Sequence, residues 1–151
     1  MRNIEPLFCK HRDDVYRLAL SYTRNAQEAE DVCQTVFLKL MEQEHITPGK
    51  EKAWLMQVTA NECRNLLRSS WWRKTTDLEE AMPVPSPQYS DVFQVVMGLK
   101  PKYRVVVYLR YYEEYTTQEI GQLLKISQSA VTTRLNRARR MLKEQLKEAN
   151  V

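Results

Sequence analysis

A proline-spaced segment near the middle of the chain constrains the fold more than any other feature of the sequence. Residues Thr75–Ser90 read TTDLEEAMPVPSPQYS, with prolines at positions 83, 85 and 87 and no helical apolar period. Such a composition predicts a semi-extended, flexible linker. The 151-residue chain is thereby divided into two parts, residues 1–74 and 91–151, and each part must build its own small core.

Both parts are predicted to be helical. Apolar residues recur at helical spacing before and after the linker, and no convincing stretch of strand alternation occurs. The chain has only three glycines, too few for a turn-rich β fold. The sequence therefore predicts an all-α protein made of two small helical domains joined by a flexible linker.

Local signals predict where several helices begin. Asn25 is a good N-cap residue, and Thr47–Pro48 resembles an N-cap followed by proline at the first helical position. After the linker, Thr116 with Glu119 forms a T-x-x-E capping box, and Ser127 is placed to cap the last helix.

Several functional classes are disfavoured by what the sequence lacks. There is no apolar run of about 18 residues, so we expect no membrane insertion. The charged N-terminus does not resemble a signal peptide, which favours a cytoplasmic location. The three cysteines and two histidines lack the spacing of metal ligands, so we expect neither a metal site nor a cofactor. The sequence contains no recognisable set of catalytic residues, so we expect no enzymatic activity. Each cysteine is interpreted as a buried small hydrophobe; these are Cys9, Cys33 and Cys63.

The net charge of +4 is distributed unevenly. Residues Gly121–Lys143 contain six lysines or arginines and no acid, and Arg64–Lys74 contain four and no acid. Residues Ala26–Glu44 contain five acids against one lysine. The two basic patches predict two contacts with a polyanion, and the acidic stretch predicts a basic partner that is not nucleic acid.

The last two predicted helices have the pattern of a helix-turn-helix. Gly121 is the small residue that a close crossing of the two helices requires. Lys125 stands at the turn position often filled by glycine, so it must adopt a left-handed conformation. Apolar residues at the required offsets hold the pair together; they are Ile120, Leu124, Ile126, Val131 and Leu135.

Three blocks of the sequence resemble bacterial sigma factors of the extracytoplasmic-function (ECF) group. The block AEDVCQTVFLKL (Ala29–Leu40) resembles region 2.2 of these factors. Residues Lys52–Lys74 resemble regions 2.3 and 2.4, and residues Leu109–Leu142 resemble region 4. The resemblance implies sigma region 2 in residues 1–74 and sigma region 4 in residues 91–151. One departure is Gly121, where the family has a helix alanine.

The resemblance implies a dissociable subunit that binds core RNA polymerase and directs it to promoter DNA with a −10 and a −35 element. It also implies an anti-sigma factor as a further partner. Three sets of site residues follow. Polymerase binding is assigned to Gln27, Glu30, Asp31, Gln34, Thr35 and Leu38. Contact with the −10 element is assigned to Asn61, Arg64, Asn65, Arg68, Arg73 and Lys74. Contact with the −35 element is assigned to Gln128, Thr132, Thr133, Arg134, Asn136, Arg137 and Arg140.

A stand-alone helix-turn-helix transcriptional regulator is the alternative function. Such a regulator requires a sensor or dimerisation domain, and the N-terminal half has no phosphoacceptor or ligand-pocket signature. The two hypotheses differ in one observable property, because a sigma factor copurifies with RNA polymerase whereas a repressor binds its operator alone.

Overall fold

The computed structural model describes residues 4–69 and 91–149, and these residues form helices joined by short turns. The all-α prediction is therefore confirmed for the described part of the chain. The chain divides into two compact units after Ser69, and each unit is described by itself below. The predicted linker, Thr75–Ser90, lies outside the described residues.

In unit 1, the described residues 4–69 form three helices that all pack on one another. They are α1 (Glu5–Thr23), α2 (Ala26–Glu42) and α3 (Glu51–Arg68). The Asn25 side chain accepts a hydrogen bond of 2.9 Å from the Glu28 N–H, so the predicted N-cap of α2 is confirmed. The largest fully buried side chains of the bundle are Val15, Leu18, Val36, Leu40, Leu55 and Met56.

The start of α3 agrees with the prediction of about Lys50, but the Thr47–Pro48 signal does not form its N-cap. The helix begins at Glu51, three residues after Pro48. The Lys50 N–H donates to the Thr47 carbonyl over 3.0 Å, and Gly49 has a φ of 86°. Thr47–Pro48 therefore belongs to a turn that precedes the helix, because the left-handed glycine interrupts helical geometry between them and Glu51.

The sequence predicts an apolar stripe on α3, and only Leu55 and Cys63 of it are fully buried; the predicted stripe is Trp54, Leu55, Val58, Cys63, Leu66 and Leu67. Trp54, Val58, Leu66 and Leu67 are only half-buried. The buried residues are Leu55, Met56, Thr59, Ala60 and Cys63. Thr59 is accommodated because its hydroxyl donates to the Leu55 carbonyl of its own helix over 2.6 Å, so no polar group is left unsatisfied.

The cysteine prediction holds at two of three positions. Cys33 and Cys63 are buried, whereas Cys9 is exposed on α1, so that part of the prediction is wrong. Cys9 lies in the first turns of α1, before His11, the first residue of that helix to be buried in the bundle. Burial raises the pKa of the Cys33 thiol to about 11 and raises that of the Cys63 thiol further.

In unit 2, the described residues 91–149 form four α-helices and one π-helical turn. The helices are α4 (Asp91–Met97), α5 (Pro101–Val107), α6 (Thr117–Leu124) and α7 (Gln128–Ala149). The sequence places Val105–Tyr112 in one helix that Pro101 can open. Instead, helix α5 continues into the π-helical turn Tyr108–Tyr112. Helix α7 packs against each of the other three, so it forms the centre of the unit.

A buried arginine connects α4 to α5. Arg104 is 3% exposed and its Nη1 donates to the Leu99 carbonyl over 2.8 Å and to the Met97 carbonyl over 3.3 Å. One carbonyl belongs to the last residue of α4 and the other lies two residues beyond it, where backbone acceptors lack helical partners. Arg104 thus satisfies the connection between α4 and α5, and the sequence analysis did not identify this role.

Candidate functional site

The helix-turn-helix of unit 2 is built around one glycine. A Cβ on Gly121 would lie 2.8 Å from the Ile126 carbonyl oxygen, so any larger residue requires the backbone to shift. The Gly121 carbonyl accepts the N–H of Lys125 and, over 3.0 Å, that of Ile126. Lys125 has a φ of 59°, as the turn position predicted. Residue 121 is therefore constrained both by the close approach of the Ile126 carbonyl and by the hydrogen bonds of the turn.

The ends of the two helices are fixed by side chains. Thr116 and Glu119 form the predicted capping box at the start of α6, and its hydrogen bonds lower the pKa of the Glu119 carboxyl. Ser127 Oγ accepts from the Ala130 N–H over 3.0 Å, which confirms the cap of α7. Gln128 Nε2 donates to Thr117 Oγ1 over 2.8 Å, so the first turn of α7 is tied to the first turn of α6.

Helix α7 buries one face and exposes the residues assigned to DNA. Val131, Leu135 and Ala138 are buried in the unit. The Thr132 and Thr133 hydroxyls donate to carbonyls of their own helix, over 3.1 and 3.0 Å, and keep lone pairs for a further partner. Arg134 is half-buried; the rest of the set is exposed, namely Gln128, Thr132, Thr133, Asn136, Arg137 and Arg140.

Besides Gln128 and the two threonines, Arg137 and Asn136 also have partners within unit 2. The Arg137 guanidinium hydrogen-bonds the Tyr103 hydroxyl of α5. Burial alone would raise the pKa of Tyr103, but the hydrogen bond from Arg137 and the positive charges of Lys102 and Arg137 lower it below its ordinary value. Asn136 Oδ1 accepts from Arg139 Nη1 over 3.0 Å. Arg139 also contacts Tyr111, a residue that the sequence analysis did not single out.

A polar stripe follows one side of α3. Gln57, Asn61, Arg64 and Arg68 recur at helical spacing, which places them on one face. Asn61 Oδ1 accepts from Gln57 Nε2 over 3.2 Å and from the Arg64 guanidinium. Asn65 and Arg68 are exposed, and Asn61 and Arg64 are half-buried. Arg73 and Lys74 lie outside the described residues.

Helix α2 buries the apolar face that its helical spacing predicts, which leaves the polymerase set on its outer side. The predicted and buried residues are Ala29, Val32, Cys33, Val36, Phe37 and Leu40. Gln27, Asp31 and Gln34 are exposed, and Gln27 Nε2 donates to Asp31 Oδ1 over 3.1 Å. Leu38 is 60% exposed. The half-buried members are Glu30 and Thr35.

Glu30 is held from a neighbouring helix. Arg12 of α1 donates to its carboxylate over 3.1 Å, and the same guanidinium lies 5.9 Å from the centre of the Phe8 ring. Thr35 donates to the Asp31 carbonyl over 3.1 Å. Asp31 therefore contributes an exposed negative charge to this face, whereas the charge of Glu30 already has a basic partner.

Two absences apply to the part of the chain that the structure describes. Within residues 4–69 and 91–149, no helix has the length and apolar character of a membrane span. In the same residues, no three histidine, cysteine or acidic side chains are grouped as a metal site.

The helices of the two units and the polar faces of α2, α3 and α7 define a class, a helical factor whose second unit contains a helix-turn-helix. Comparisons with known proteins give the family. The Sigma-70 region 2 model matches residues 7–73, and the Sigma-70, region 4 model matches residues 90–142. The chain belongs to the sigma-70 family of RNA polymerase sigma factors, in its ECF group.

Individual relatives agree with this assignment. The ECF RNA polymerase sigma factor SigE of Mycolicibacterium smegmatis is 27% identical over 97% of this chain, which spans 62% of that protein. SigW of Bacillus subtilis is also 27% identical, over 91% of this chain and 86% of its own length. A solved structure of the sigma factor RpoE with the anti-sigma factor NepR, from Bartonella quintana, shares the fold. Its TM-score is 0.75 at 20% identity, covering 97% of this chain and 98% of that one.

Proposed function

We propose that the chain binds core RNA polymerase and directs it to promoters through a −10 and a −35 element. The observation that carries this proposal is the helix-turn-helix, whose second helix exposes amide, hydroxyl and guanidinium groups and no acid from Gln128 to Lys143. Such groups donate to phosphates and base edges. Because initiation takes place on the chromosome, we place the chain in the cytoplasm, and we propose no catalytic activity of its own.

The surfaces of unit 1 support the proposed contacts with core RNA polymerase and with the −10 element. The outer side of α2 offers an exposed carboxylate, two amides and an exposed leucine, which suits a basic protein helix with an apolar contact. The stripe on α3 offers amides and guanidinium groups, which suit a strand of DNA. We infer that α2 docks on the polymerase and that α3 contacts the −10 element.

Run-off transcription tests the proposal directly. Core polymerase with the chain should produce promoter-specific transcripts, and core polymerase alone should not. A stand-alone regulator would instead bind duplex promoter DNA tightly and specifically without polymerase, as a gel shift would show. The family assignment does not favour that alternative. An anti-sigma factor is proposed as a further partner, because the RpoE structure holds one.

Replacing Asn61 by alanine should impair DNA melting and spare polymerase binding. A protein that opens a duplex must stabilise an unstacked base, since unstacking costs a few kcal/mol. Asn61 lies half-exposed at the centre of the α3 stripe, where its amide meets Gln57 and Arg64. Permanganate footprinting of the −10 region should show reduced reactivity in the variant. A normal footprint would assign Asn61 a structural role.

Arg137 and Lys143 should behave differently when each is replaced by alanine. Arginine suits a guanine edge, a contact that contributes about 1–3 kcal/mol of discrimination. Arg137→Ala should therefore relax preference at particular −35 positions. Lys143, exposed further along α7, should act on phosphate, so Lys143→Ala should weaken all promoters alike and lower the salt slope by about one unit.

A panel of −35 point variants, transcribed at several salt concentrations, makes this comparison. If both substitutions lower transcription from every promoter equally, Arg137 contacts phosphate and does not read a base.

A further inference from the structure

Three side chains of unit 2 form a hydrogen-bonded relay beside α7. Tyr111 lies in the π-helical turn and is 50% exposed. Its hydroxyl accepts from Arg139 Nε over 2.6 Å, and the Arg139 guanidinium lies 5.7 Å from the centre of its ring. Arg139 Nη1 then donates to Asn136 Oδ1 over 3.0 Å. The relay Tyr111–Arg139–Asn136 thus joins the π-helical turn to the outer side of α7.

The relay fixes which end of the Asn136 amide points outward. An arginine side chain has donors and no acceptor, so the amide atom that faces Arg139 must be the oxygen. One acceptor site of Asn136 is thereby occupied, and its NH₂ group is left as the free end. Tyr111 completes the arrangement, because its hydroxyl and ring hold the guanidinium from the opposite side.

This orientation has a consequence for base recognition. An unrestrained asparagine recognises adenine by accepting from N6 while donating to N7. With its oxygen bound to Arg139, Asn136 is better suited to donate to O6 of guanine or O4 of thymine, acceptors that adenine replaces with the N6 donor. We propose that Tyr111 is a positioning residue which, through Arg139, makes Asn136 a donor and selects guanine or thymine over adenine at one position of the −35 element. This inference rests on the proposed function.

Substitution of Tyr111 by phenylalanine tests the inference with the full chain and core polymerase. The change removes the hydroxyl and keeps the ring. A barcoded set of templates that carry each base at each −35 position is transcribed, and the yields are compared. In the variant, the yield with adenine at one position should rise relative to the best base by about fivefold, the lower end of what one base contact contributes. Arg139→Ala should shift the same position in the same direction.

Two further variants separate positioning from a general structural effect. Tyr112→Phe removes a hydroxyl from the neighbouring residue, 54% exposed, and should leave the profile unchanged. In an Asn136→Ala background, Tyr111→Phe should cause no further change in base preference, because its effect passes through the Asn136 amide. A loss of stability in unit 2 would instead lower all templates together.

Three other results would each contradict one claim: the positioning role of Tyr111, the assignment to the Asn136 amide, or the proposed function. An unchanged profile for Tyr111→Phe, or an equal loss on every template, would overturn the positioning role while the wild-type transcripts still support the proposed function. A shift that persists without Asn136 would overturn the assignment to that amide. No wild-type transcription from any template would overturn the proposed function, and this inference with it.

Discussion

Substitution of Gly121 by valine should abolish −35-dependent transcription while the chain still binds core polymerase. A Cβ at this position would lie 2.8 Å from the Ile126 carbonyl oxygen, which is backbone and cannot rotate away. Overpacking of a core costs typically about 1–3 kcal/mol, and the branched side chain places the cost at the upper end. A unit of this size has little stability to spare, so the helix-turn-helix should unfold or open.

Thermal denaturation followed by circular dichroism, together with run-off transcription, measures both effects. Gly98→Val is the matched control, because a Cβ on Gly98 meets its nearest atom at 3.4 Å, an ordinary contact. Gly121→Ala should cost less than valine, since alanine gains about 1 kcal/mol of helix propensity over glycine. A Gly121→Val chain with normal melting and normal promoter use would show that the two helices separate without penalty.

Reversal of the charge at Asp31 should reduce binding to core polymerase by tenfold or more, about 1.4 kcal/mol. Asp31 is exposed on the outer side of α2, and Gln34 lies beside it on the same face. If the partner surface is basic, an arginine at position 31 sets like charges against each other, which can cost several kcal/mol. Pull-down or fluorescence anisotropy with core polymerase measures the loss.

Asp13→Arg is the matched control for this experiment. It makes the same charge change at an exposed position of α1 and should leave the affinity close to that of the wild type. Helicity should be retained in both variants, because neither side chain is buried. Unchanged affinity of the Asp31→Arg chain, with its helices intact, would exclude this face of α2 as the polymerase contact.

The sequence predicted the fold well where periodicity and capping agree. The buried face of α2 was predicted residue by residue, because its apolar positions follow one clean stripe and Asn25 marks the start. The helix-turn-helix was predicted because a capping box, one glycine and five apolar offsets must coincide in a tight crossing. Agreement between independent local signals is the physical basis of such predictions.

Other features depend on contacts that no local pattern encodes. The core face of α3 includes Thr59, a polar residue that is satisfied by its own helix. Arg104 is buried because two carbonyls at the end of α4 need a donor, although arginine is mostly exposed in proteins. Tyr111 and Arg139 are 28 residues apart, so only the folded unit brings them together. Helical periodicity alone cannot predict residue pairs that come into contact only through tertiary packing.

The two buried thiols of unit 1 make the wild-type chain suitable for single-site chemical labelling. Maleimides react with the thiolate, and burial holds Cys33 and Cys63 in the protonated, inaccessible form. At neutral pH, mass spectrometry should therefore find one label per folded chain, at exposed Cys9, and three labels after denaturation. A second label on the folded chain would mean that the bundle opens on the timescale of the reaction. A fluorophore at Cys9 would report the arrival of unit 1 at a partner without any substitution in the sequence.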